Sequence, residues 1–115
     1  MKEKFLKNIP HEEIVTLAGL VDVQEGQVVS KTLVQNSAIS VTVFAFDKNE
    51  EISSHDSTGD AMVTVLEGVA KLTVGEKEHI LNKGETLVMP AEIPHAVFAK
   101  EAFKMILVVV FPENK

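Results

Sequence analysis

Four histidines, at positions 11, 55, 79 and 95, are the groups of this 115-residue chain best suited to chemistry near neutral pH, because imidazole titrates there. The chain has no cysteine. Disulfides, thiolate metal sites and cysteine nucleophiles are therefore excluded together, and a metal would need histidine, carboxylate or a softer donor. His79 follows Glu76-Lys77-Glu78 directly after a turn, which is the pattern of a solvated strand. His11 falls in the first turn of a short predicted helix and reads as superficial. His55, at a strand–loop junction, and His95, just after Pro90–Pro94, remain as the pair able to move a proton or bind a ligand. No Gly-rich phosphate loop precedes a helix, and no Gly-x-Ser-x-Gly turn supplies a serine nucleophile.

The elements that must position these residues are short β-branched runs. They cover 28–34, 38–46, 51–55, 61–66, 69–74, 77–81, 86–89, 96–99 and 103–111, separated by turn residues such as Asn36-Ser37, Glu67-Gly68, Gly75-Glu76 and Lys83-Gly84. This is the pattern of an all-β sandwich or barrel over residues 28–115. Residues 1–27 form an N-terminal arm. Within it Pro10-His11-Glu12-Glu13, then Ile14, Leu17 and Val21, predict a short helix ended near Gly19. The runs 38–46 and 105–111 are apolar at nearly every residue, so both of their faces need cover. A homodimer is the expected solution, with cover by the arm and the first strand as the single-chain alternative.

With 17 acidic and 11 basic residues the net charge is −6, and the lysines are scattered. A phosphate backbone would be repelled, so nucleic acid is not an expected partner. The longest apolar run, 105–111, is too short to span a bilayer, and the first ten residues lack an apolar stretch of signal-peptide length. The expected setting is cytoplasmic.

Two segments resemble the paired motifs of the cupin superfamily. Gly84-Glu-Thr-Leu-Val-Met-Pro90-Ala-Glu92-Ile-Pro94-His95 carries the spacing of the second motif, with Glu92 where the family often has Gly. His55-Asp-Ser57-Thr-Gly-Asp60-Ala-Met62-Val-Thr-Val-Leu-Glu-Gly68 is similar to the first. Counted back from Gly68, His55 takes the first histidine position, Ser57 the second and Met62 that of the glutamate. The resemblance implies a small antiparallel double-stranded β-helix, the jelly-roll barrel, with His55 and His95 facing each other inside it. It also implies a divalent transition-metal site, of whose four usual ligands two are retained here, with Asp60 as a candidate third donor.

Alternation along the strand places Asp60, Met62, Thr64 and Leu66 on one face and Ala61, Val63 and Val65 on the other. In a cupin-like barrel the first set is expected to point inward. Ser57, Asp60, Met62, Thr64 and His95 would then line a pocket for a small organic molecule. Two functions compete: an enzyme using the histidines as acid and base or with a loosely held metal, and a metal-free, non-catalytic binding or sensing module. The replacement of two ligand positions by Ser57 and Met62 motivates the second, which stands as the alternative. A purely structural, partner-binding role ranks third.

Overall fold

The computed structural model describes residues 3–113 and contains nine strands among them. They are β1 (Val28–Gln35), β2 (Ile39–Phe46), β3 (Glu51–His55), β4 (Asp60–Glu67), β5 (Ala70–Val74), β6 (Lys77–Leu81), β7 (Thr86–Met89), β8 (His95–Ala99) and β9 (Phe103–Val110). One sheet has the order β1-β2-β9-β4-β7 and the other β3-β8-β5-β6, with every pairing antiparallel. Only β1–β2 and β5–β6 pair as sequence neighbours. The turns are fixed by local chemistry. Asn36 Oδ1 accepts from the amides of Ala38 and Ile39 at 2.8 and 3.0 Å, holding the β1–β2 hairpin. Asp47 Oδ2 accepts from the Gly26 amide at 2.8 Å and its Oδ1 from that of Lys48, and these bonds to the anion hold its carboxyl below the usual range.

Between the sheets lies a closed apolar core. Phe46, Ala61, Val63, Val65, Phe103 and Met105 enter it from the five-stranded sheet, and Ala70, Leu72, Leu81, Val97 and Ala99 from the other. Phe46 and Phe103, register partners across β2 and β9, stack with ring centroids 4.6 Å apart.

A second cluster covers part of the outer face of the larger sheet. Val43 and Ala45 of β2 and Leu33 of β1 are buried there with Val21, against which Ile9, Leu20, Leu66 and Ile106 pack. The doubly apolar character of β2 is thus explained within one chain, by the arm. Lys104 Nζ ties the arm down by donating to the carbonyl of Ala18 at 2.8 Å.

The predicted helix does not form. Glu12 has φ 61° and Asn8 also 61°, values that break a right-handed helix in its first turn, and the only helical piece among the described residues is a 3-10 turn at Leu17–Leu20. Ile14 is fully exposed while Val21 is 4% exposed. Ile9, Leu20 and Val21 of the arm act as separate anchors on a sheet and not as one helical stripe. No helix among the described residues is long and apolar enough to cross a membrane.

Candidate functional site

His55 ends β3 and His95 begins β8, and the two are register partners across that pair. The pairing Ile52 with Val97 shifts by one residue before His55 meets His95. This irregularity re-aims His55 toward the mouth of the barrel, as bulges beside functional positions do. The rings meet edge to face, with centroids 4.4 Å apart and planes at 67°. His55 is exposed and His95 is buried.

Each ring is anchored at Nδ1. The Nδ1 of His55 lies 2.9 Å from the carbonyl of Ser53, and that of His95 lies 3.3 Å from the carbonyl of Ile93. A carbonyl can only accept, so these contacts select the tautomer that carries its proton on Nδ1 and leaves Nε2 with a free lone pair. Burial holds the His95 imidazole below its usual pKa, and the His55 charge pushes the same way, while the Ile93 carbonyl and Asp56 oppose it.

This shift has a consequence for stability. The unfolded chain binds a proton at His95 more readily than the folded one, so stability rises with pH across that interval. The His95 contribution is complete above the ordinary imidazole value and is lost as the pH falls through it toward the lower folded value. Urea midpoints measured between neutrality and mildly acidic pH should fall on acidification, and His95→Phe should flatten that dependence. An unchanged slope in the variant would place the effect elsewhere.

The other expected pocket residues are not gathered around the histidines. Along β4 the inward set is Ala61, Val63 and Val65, each at most 2% exposed, whereas Met62 is 42% exposed. Met62 and Thr64 therefore do not line the interior, contrary to the sequence reading. A slip of one residue exchanges the faces of a strand, and the inward side chain where a ligand would stand is the methyl of Ala61. The Thr64 hydroxyl is spent on Thr86, 2.7 Å away. Asp60, also on the outward set, accepts from the amide of Ala91 through Oδ1 at 2.8 Å. Ser57 accepts from the Gly59 amide at 3.1 Å through its hydroxyl, and its carbonyl accepts from the Glu92 amide at 2.7 Å. These last contacts fasten the β3–β4 loop to the Pro90–Pro94 turn across the mouth. Behind His95 the barrel is filled by Val97, Leu72 and Ala99, none more than 3% exposed. The site is a shallow mouth and not a deep cavity.

The comparisons agree with this architecture. Residues 42–111 match the cupin domain family, which is more than half of the chain. The chain belongs to the cupins. A conserved protein of unknown function from Streptococcus pyogenes is 46% identical, with a TM-score of 0.95 over 97% of this chain and 98% of that one. A cupin superfamily protein from Desulfitobacterium hafniense is 32% identical, with a TM-score of 0.89 over 93% of this chain and 98% of that one. A cupin 2 conserved barrel domain protein from Leptotrichia buccalis is 47% identical over 81% of this chain, a match that spans 45% of that longer protein. No curated protein matches.

Cupin membership raises the question of a metal, and the donor set of this cupin does not suit a firmly held one. A stable divalent site normally takes at least three protein donors. Among the described residues no group of three or more histidine, aspartate or glutamate side chains is placed to hold an ion. Asp60 is turned to Ala91, Met62 points outward, and Ala61 offers no donor. Glu92 departs from the family pattern too, and its φ of 65° lies in the left-handed region that explains why glycine is common there. Sequence reasoning missed Ile93, Ser53 and Asp56, which act through backbone carbonyls and charge and carry no motif.

Proposed function

We propose that this cupin binds a small organic ligand at the mouth of the barrel, through the Nε2 atoms of His55 and His95, as a binding or sensing module that needs no metal. The observation that carries this reading is the anchoring of both Nδ1 atoms on backbone carbonyls. It leaves each ring an acceptor at Nε2, one on an exposed ring and one on a buried ring, with ring centroids 4.4 Å apart. A ligand with two donor hydrogens, such as a diol or a primary amide, would satisfy both, with Ile93, 41% exposed, as an apolar neighbour. Screening a fragment library by NMR, read at the imidazole resonances, should find ligands that shift both rings. Binding should disappear in the His55→Ala/His95→Ala variant, and a ligand whose affinity survives there would overturn the reading.

A second reading rests on the same two lone pairs. They could hold a divalent transition metal weakly, with water or ligand completing its shell. Titration with nickel or zinc should then give binding that desalting reverses and His55→Ala abolishes. One equivalent of metal retained through purification would contradict a weak site. We also propose that the protein is a homodimer, because β9 remains apolar on both faces beyond the region the arm covers.

A further inference from the structure

We infer that Asp60, a candidate metal donor by its place in the sequence, is instead the positioning residue that sets the His95 imidazole through the Pro90–Pro94 turn. The role rests on the proposed use of His95 Nε2 as an acceptor, and it adds the group that keeps that atom one. The β4–β7 ladder ends at Ala61 and Met89. The next residue after Met89 is Pro90, which has no amide to carry the ladder further. The Asp60 carboxylate takes the following amide, that of Ala91, at 2.8 Å, and so ties the turn to β4 where the backbone cannot.

Little inside the turn fixes its shape. Two of its five residues are prolines, which leaves three amides. That of Ala91 goes to Asp60 and that of Glu92 to the Ser57 carbonyl at 2.7 Å, while that of Ile93 stays within the turn and reaches the Pro90 carbonyl at a long 3.4 Å. On the far side the Pro94 carbonyl accepts from the Gly75 amide at 2.7 Å. Glu92 meanwhile holds φ 65°, a left-handed conformation that a glutamate keeps only where its surroundings impose it. Of the three bonds that leave the turn, only the one to Asp60 is made by a side chain.

The shape of the turn decides what His95 can do. The Ile93 carbonyl lies 3.3 Å from His95 Nδ1, at the long limit for such a bond, so a small displacement of the turn ends it. Without that acceptor the proton is no longer favoured on Nδ1. The ring is then free to carry it on Nε2, which donates instead of accepting. His55 is anchored on Ser53 within its own strand and does not share this dependence.

Long-range nitrogen-15 correlation spectra of the ligand-free protein test the role, at mildly alkaline pH where the imidazoles are neutral. In the wild-type chain His95 should show a protonated Nδ1 and a bare Nε2. Asp60→Ala should shift both His95 ring nitrogens toward the opposite tautomer. Asp60→Asn, which keeps an oxygen to accept from Ala91, should restore the wild-type positions. Asp60 is exposed, so neither substitution opens the core. The His79 signals should be the same in all three proteins, which a general loosening of the fold would not give. His95 signals that stay in place in Asp60→Ala would overturn the role, and so would an Asn variant that shifts as far as the Ala variant. A wild-type His95 protonated on Nε2 would overturn this role and the proposed binding mode together. The spectra are read without a ligand, so an empty fragment screen would remove the proposed function and not this role.

Discussion

Gly68→Ala should destabilise the protein by about 3 kcal/mol or more. Gly68 ends β4 with φ 79°, in the left-handed region where any side chain strains the backbone. Space is also lacking. A Cβ at this position would collide with the carbonyl oxygen of Ala102 and come within 2.8 Å of Phe103 Cβ. One obstacle immediately precedes β9 and the other begins it, β9 being a central strand of the larger sheet, and a backbone carbonyl cannot rotate aside as a side-chain tip can. At about 4–8 °C per kcal/mol for a domain of this size, calorimetry should show a large fall in Tm. A fall of only a degree or two would mean that the β4–β5 turn relaxes freely and does not constrain β9.

Phe103→Ala should cost about 3–5 kcal/mol. Phe103 is 1% exposed and Phe46 is fully buried, and their rings stack across the β2–β9 pair. Truncation removes the transfer energy of the ring and the stacking, and it leaves a void that Val65 of β4 and Met105 of β9 itself cannot fill without leaving their own contacts. The loss should appear as a lower urea midpoint with an unchanged slope, since the surface exposed on unfolding is nearly the same. Phe103→Leu, which restores part of the volume, should recover much of the stability. If it does not, ring stacking and not filled space governs this part of the core.

Most of the strand framework was legible because turn residues punctuate it. Glu51–His55, Lys77–Leu81 and Thr86–Met89 have the predicted limits, and the other strands differ by one residue at one or both ends. The barrel and the cupin membership follow from that spacing and the Gly84–His95 motif. The arm was misread because Pro10, two acids and a spaced apolar series describe a helix equally well as a set of anchors. Only the presence of an open sheet face decides between them. The faces of β4 were misread for a different reason. Both sets contain apolar residues, and Met62 and Leu66 are no less suited to a core than Ala61 and Val63. Alternation separates the sets without saying which is inside. The neighbouring strands supply that, through registers no single-sequence pattern contains. The meeting of His55 with His95 depends likewise on the one-residue shift in β3, which Ser53-Ser54 does not announce.

The two hydrogen bonds from the Ala91 and Glu92 amides to Asp60 and Ser57 have a consequence for how the mouth moves. His55 ends β3 just before one of the joined segments and His95 begins β8 just after the other, so the two strand ends that carry the rings run directly into a fastened seam. Movement of either segment is therefore passed to both strand ends, and residues that touch neither ring help to hold the paired histidines in place.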